Sequence, residues 1–308
     1  MASEAKSMEG QNDSTLISGT LIRGIGSFYY VTDEEDLEYT VRCKKKFRRE
    51  RLTPLVGDRV LFSPGRGEEH GWLEEILPRR TVCLRPAVAN VNLLVIVIAP
   101  VPEPDFLLVD RQISRAVSQG MEILIAVNKT DLDDSLAGRI QEEYAAAGIP
   151  VFPVCARYGT GIGRLRTAME GDRLCCFTGQ SGAGKSSLLN ALLDLSLQTG
   201  GISRRISRGK NTTRHTELIR KNGLKVIDTP GFNLLEPENQ MKPEELKERY
   251  PEFRPYEGRC RFKECLHDKE PGCAVAEAVQ AGEIGEGRLS RYRMLLAETR
   301  DIWRNRYD

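Results

Sequence analysis

Apolar and polar positions alternate in short runs through the first part of the chain: Leu21-Ile22, Ser27–Val31, Glu38–Val41, Arg59–Phe62 and Trp72–Ile76, separated by Gly, Asp and Pro. A period of two broken by turn formers predicts short strands, and this many over residues 16–80 predict a small all-β barrel. The pattern then changes. Val91–Ile98 is a continuous apolar run, as in a strand buried on both faces. Helical patterns over Pro104–Gln119, Asp133–Ala147, Ile162–Met169 and Lys185–Asp194 alternate with strands Glu122–Val127, Val151–Val154 and Arg173–Thr178. That alternation predicts a parallel, doubly wound sheet of the α/β class. Thr216–Arg220 and Leu224–Asp228 flank Lys221-Asn222-Gly223, which predicts an antiparallel hairpin at the sheet edge. After Leu235 the sequence turns charged, with helical patterns near Pro243–Tyr250, Ala274–Ala281 and Glu286–Arg304 around a Cys/His cluster.

A chain of 308 residues, 40% hydrophobic and 29% charged, is expected to form two or three globular domains. No apolar run approaches the roughly 20 residues of a membrane span. Met1–Thr15 is polar, lacks the apolar core of a secretory signal and reads as a disordered tail, so a cytoplasmic location is expected. The net charge of +1 conceals local asymmetry: Arg42–Arg51 holds seven Lys/Arg, and Arg204–Lys221 another seven. Eight cysteines without an export signal point to reduced thiols or metal ligation rather than disulfides.

Gly179-Gln180-Ser181-Gly182-Ala183-Gly184-Lys185-Ser186, followed by Ser187, fits the phosphate-binding pattern G-x-x-x-x-G-K-[ST] between a strand and a helix. Its glycines let backbone N–H groups wrap phosphates. Lys185 would meet the β- and γ-phosphates, and Ser186 would ligate magnesium at the positive helix terminus. Asn128-Lys129-Thr130-Asp131 resembles the N-K-x-D motif of GTPases. There Asp131 would accept from N1–H and the 2-amino group of guanine, Asn128 would read N7, and the Lys129 stem would cover the base. The same four residues also suit a helix cap for Asp133–Ala147. Asp228-Thr-Pro-Gly231 resembles the D-x-x-G motif that senses the γ-phosphate, and Val154-Cys155-Ala156 a loop whose backbone reads guanine O6, with Cys155 where Ser is usual. Each motif follows a strand, where open α/β sheets bind ligands. Asn128 precedes Gly179, the reverse of the ordinary GTPase order, so the domain is expected to be circularly permuted.

Together with Val56–Val60, Leu77–Arg80 and Leu84-Arg85-Pro86, these motifs make the chain resemble the bacterial ribosome small subunit-dependent GTPase A (RsgA) family over nearly all of its length beyond the tail. The resemblance implies an OB-fold RNA-binding domain (16–80), a permuted GTPase domain (81–235) and a zinc-binding helical domain (236–308). It further implies a GTPase that binds the small ribosomal subunit, is stimulated by it and acts in late assembly, expected as a monomer. Cys260-x4-Cys265-x-His267-x5-Cys273 would close a tetrahedral structural zinc site, leaving Cys43, Cys83, Cys175 and Cys176 as core residues. On an OB-fold the basic run and the aromatics Phe28, Tyr29, Tyr30 and Phe47 would serve ribosomal RNA, or the aromatics would fill the barrel.

Phe232 stands where small GTPases carry a water-positioning Gln, so slow hydrolysis in isolation is expected. In Gly209–Thr216, which resembles the family's switch region, Asn211 replaces the usual His. His215 is then a candidate substitute, Thr213 the first choice for the magnesium-coordinating Thr and Thr212 the second. The competing reading is an RNA-binding module in which GTP is mainly a structural ligand.

Overall fold

A computed structural model describes residues 16–65, 69–84, 87–195, 216–228 and 241–306. The chain divides into two compact units, Met1–Arg79 and Arg80–Asp308.

In the first unit β1 (Ile17–Ile25), β2 (Phe28–Thr32) and β3 (Glu38–Cys43) lead into a short helix α1 (Lys45–Arg49), then β4 (Arg59–Ser63) and β5 (Gly71–Ile76). They close in the order β1-β2-β3-β5-β4, with β3 and β5 parallel and the other pairs antiparallel, the arrangement of an OB-fold. Val31, Val41, Val60, Phe62 and Leu73 fill the interior. The two stretches Val56–Val60 and Leu77–Arg80 meet in one bond pattern. Asp58, fully buried, accepts from Arg79 Nε at 2.7 Å and Nη2 at 2.8 Å and from the Leu55 N–H at 2.7 Å. A buried carboxylate needs such a set of donors to offset its lost hydration.

Of the four aromatics, Phe47 is settled as core: α1 turns it into the barrel, where it packs with Val31 and Val60. The basic run is thus the end of β3 plus a helix, and not one continuous loop or strand face. Phe28 and Tyr30 are half-buried on β2, each under a guanidinium: Arg42 lies 4.8 Å from the Phe28 ring and Arg23 4.2 Å from the Tyr30 ring.

The second unit opens with a hairpin that the pattern did not predict, β6 (Val82–Leu84) and β7 (Ala87–Ala89). Then follow β8 (Leu93–Ile98), α2 (Phe106–Ser118), β9 (Glu122–Val127), α3 (Leu136–Tyr144), β10 (Val151–Pro153), α4 (Ile162–Met169), β11 (Leu174–Thr178) and α5 (Lys185–Leu193). The hairpin β12 (Glu217–Lys221) and β13 (Leu224–Asp228) completes a sheet of order β10-β9-β8-β11-β13-β12, parallel except for the edge strand β12. Every residue of β8 and β11 is buried, as their unbroken apolar runs require of central strands. Leu93, Val95 and Val97 pack with Leu165 and Met169 of α4 and Leu188 and Leu192 of α5. α3 is shorter than the predicted Asp133–Ala147, because Asp133 folds into a turn with its Oδ1 accepting from the Ser135 N–H and hydroxyl at 2.9 and 2.7 Å.

The helical pattern near Pro243–Tyr250 forms as a 3₁₀ turn, Pro243–Arg249, and a second 3₁₀ turn, Pro251–Tyr256, which the pattern did not predict, follows; Pro251 cannot donate the N–H that would continue the first. α6 (Ala274–Gln280) and α7 (Glu286–Arg304) follow. Tyr250, Phe253, Val275, Tyr292 and Leu296 form their own apolar cluster, against which Leu107 of α2 also packs. Beside it lies a buried ion network. Asp110 of α2 meets Arg288 and Arg291 of α7 at 2.6 Å each and accepts from the Tyr144 hydroxyl at 2.7 Å, while Glu252 meets Arg288 at 2.6 Å. Among the described residues no helix is long and apolar enough to cross a membrane.

Candidate nucleotide site and cysteine/histidine centre

Because β8, β9, β10, β11 and β13 run in one direction, the segments that follow them emerge along one edge of the sheet. Those segments hold the motifs. Gly179–Gly184 leaves β11 and turns into α5, with φ of +131° at Gly179 and +91° at Gly184. At Gly179 a Cβ would strike the Val97 carbonyl, and at Gly184 the Asn128 amide, so both conformation and space demand glycine. The Lys185 ammonium donates to the carbonyls of Gly179 and Gln180 at 2.7 Å each, and its burial lowers its pKa. Ser181 and Ser186 are exposed, Ala183 is buried and Ser187 half-buried.

Asn128 is buried and bridges two loops: Nδ2 donates to the Ala183 carbonyl at 3.1 Å and Oδ1 accepts from the Ala156 N–H at 3.1 Å. Lys129 reaches across to donate to the carbonyls of Val101 (2.6 Å) and Gly182 (2.8 Å), and the Thr130 hydroxyl donates to Val154 O at 3.2 Å. The exposed Asp131 carboxylate accepts from the Cys155 thiol at 3.1 Å. These bonds decide against the helix-cap reading, since Ser135 occupies the N-cap of α3 and neither Asn128 nor Asp131 caps it. The edge therefore offers a glycine-lined ring of backbone donors at a helix N-terminus, suited to phosphate, beside a carboxylate held by a thiol, suited to a base with paired N–H donors.

Sequence reasoning missed the segment after β8. Gln180 does not aim its side chain at the phosphate ring. Its Nε2 donates to Glu103 O and its Oε1 accepts from the Asp105 N–H, both at 3.0 Å. The Pro-rich stretch Ala99–Asp105 at a strand's carboxyl end was the available signal. Asp228 is the last residue of β13. Thr212, Thr213, His215, Asn211, Gly231 and Phe232 lie outside the described residues.

In the C-terminal segment Cys260, Cys265, His267 and Cys273 bring their ligand atoms within 4.8 Å of one another. His267 Nδ1 lies 3.7, 3.6 and 3.3 Å from the three sulfurs. Sulfur at about 2.3 Å and nitrogen at about 2.0 Å from one tetrahedral zinc would stand about 3.5 Å apart, so the cluster fits that ion and leaves no open position. Burial, and then Lys247, lower the His267 pKa, which keeps the imidazole neutral as a ligand must be. Glu270 accepts from the N–H groups of Leu266 and Asp268, and Tyr292 donates to Leu266 O, fixing the loop.

A phosphate loop followed by its helix, a base-reading loop that precedes it in sequence yet adjoins it in space, and a barrel placed ahead define a circularly permuted P-loop GTPase. Comparisons agree. The RsgA GTPase family matches residues 76–238 and the RsgA N-terminal domain residues 18–73. The chain belongs to the RsgA GTPase family, and it is a GTP hydrolase. It is 43% identical to the small ribosomal subunit biogenesis GTPase RsgA of Ruminiclostridium cellulolyticum, covering 92% of this chain and 94% of that one. With the protein of the same name from Geobacillus kaustophilus identity is 41%, over 93% and 98%. The crystal structure of YjeQ from Thermotoga maritima superposes with a TM-score of 0.79 at 32% identity, covering 92% and 98%. That of YloQ, described as a circularly permuted GTPase, gives 0.78 at 31%, covering 95% and 98%.

Proposed function

We propose that this GTPase binds the small ribosomal subunit, is stimulated by it, and hydrolyses GTP in that subunit's late assembly. The observation that carries the nucleotide half of this reading is Asn128. It ties the phosphate loop to the 155–156 loop, so the two ends of one nucleotide fall to loops that hold each other. Phosphates lie against the amides of residues 179–187 with Lys185 on the β- and γ-phosphates. Guanine lies between Asn128, Lys129, Thr130 and Asp131 on one side and the backbone of Cys155 and Ala156 on the other. Magnesium, held through Ser186 and Thr213, would offset phosphate charge. Asp228 and Gly231 sense the γ-phosphate, and ordering of that segment by GTP favours the subunit-binding state.

The relatives' shared name supports the ribosomal partner. Arg23 over Tyr30 and Arg42 over Phe28 give the barrel a surface suited to ribosomal RNA, where cations meet phosphate and rings meet bases. Such a partner places the protein in the cytoplasm, acting as a monomer with one structural zinc. Phe232 cannot orient water, so turnover is slow until the subunit orders the switch segment or His215 takes that part.

The test is steady-state GTP turnover with and without purified small subunits, for the native chain and Lys185→Ala. Stimulation by subunits that the substitution abolishes is expected. No subunit-dependent turnover would instead favour an RNA-binding module propped by nucleotide.

A further inference from the structure

We infer that Gln180 is a positioning residue that ties the phosphate loop to the root of α2, and that Arg291 carries this tie into the C-terminal module. Nucleotide occupancy is thereby registered in α7. The inference rests on the nucleotide reading above.

The route is short and every link is a contact. The Gln180 side chain makes two bonds to one backbone stretch, to Glu103 O and from the Asp105 N–H, each 3.0 Å long. An amide that both donates and accepts fixes the spacing of the two segments as a pair of ladder bonds would. Lys129 adds a second tie to the same stretch through Val101 O, while also holding Gly182 O. Asp105 is the N-cap of α2, its carboxylate accepting from the Leu108 N–H at 2.9 Å, so a shift of residues 103–105 shifts the first turn of the helix. The next residue, Phe106, has the Arg291 guanidinium 5.2 Å from its ring centre. Arg291 in turn holds Asp110 at 2.6 Å and Glu143 at 2.5 Å. The next two residues of α7, Tyr292 and Arg293, donate to the carbonyls of Leu266 and His267 in the Cys/His loop. Directional hydrogen bonds at both ends of the route, with the Arg291 pairs to Asp110 and Glu143 charge-assisted, have discrete geometries, so a displacement of residues 103–105 is passed to Phe106 and on to Arg291.

The test is amide hydrogen exchange on the full-length zinc-loaded protein with and without GDP and magnesium. In the native chain GDP slows exchange in peptides covering 179–193, the start of α2 (105–110) and the middle of α7 (288–295). Gln180→Met keeps the side-chain volume and loses both bonds. In it GDP still protects 179–193, but the response of α2 and α7 falls by at least half, the Lys129 tie alone remaining. Arg291→Met lies outside the nucleotide site; it keeps the response at the start of α2 and loses it in α7. Protection of 179–193 serves as the fold control for both variants. The inference is overturned if the native α7 ignores GDP while 179–193 responds, or if the α7 response is undiminished in Gln180→Met or in Arg291→Met. If GDP protects not even 179–193, the nucleotide reading falls and the coupling with it.

Discussion

The Asn128 side-chain amide donates to the Ala183 carbonyl over 3.1 Å, joining two loops that stand 55 positions apart in the chain. Removing it leaves a buried carbonyl and the Ala156 N–H without that partner, at about 1–3 kcal/mol. Asn128→Ala is therefore expected to weaken GDP binding by at least tenfold, read by calorimetry, with a melting temperature lowered only modestly.

On the proposed nucleotide reading Asp131 decides the base. In Asp131→Asn the amide oxygen can still accept from N1–H, but its NH2 faces the 2-amino group of guanine, so one charge-assisted bond worth about 1.5–3 kcal/mol gives way to a clash of donors. GTP should bind about a hundredfold or more weaker, while XTP, whose purine presents an oxygen at position 2, should gain. Competition against a fluorescent GDP analogue checks both. ATP competing as well as GTP in the native protein would end the guanine assignment.

Zinc loading should release at least two protons. Burial raises the pKa of Cys265 and of Cys273, so these thiols hold their protons at neutral pH until the metal displaces them, and His267, already neutral, contributes none. Affinity therefore rises with pH, and each released proton makes it fall about tenfold per unit of acidification. Calorimetry in two buffers of different ionisation enthalpy counts the protons. Chelation should expose 241–306 to rapid exchange.

Arg288 is buried among Asp110, Glu252, Tyr144 and Tyr250, with its guanidinium carbon 4.5 Å from the Tyr250 ring centre. Arg288→Met strips a cation from two buried carboxylates and should cost about 3–5 kcal/mol in denaturant unfolding.

The two barrel aromatics should separate cleanly. Phe47→Ala empties the interior and is expected to destabilise the barrel by about 3–5 kcal/mol. Phe28→Ala, half-buried under Arg42 and against the His70 ring, should cost only about 1 kcal/mol and weaken binding to small-subunit RNA in a filter assay.

What local order could encode, the amino acids declared without help. Unbroken apolar runs such as Val91–Ile98 mark central strands, and glycines at 179, 182 and 184 mark a loop that must adopt positive φ, because period and backbone freedom are properties of adjacent residues. The reversed order of Asn128 and Gly179 revealed permutation for the same reason. Contacts between distant segments needed the folded chain. Only there does Asn128 prove to be a brace and not a helix cap, Phe47 a core residue in a basic helix, Gln180 a tie to α2, and Asp110 a buried anion shared by two arginines 178 and 181 positions away. Polar side chains at such places look like ordinary surface residues in a string. Their partners, and hence their burial and charge, exist only once the sheet has brought its strand ends to one edge and α7 has come to rest on α2.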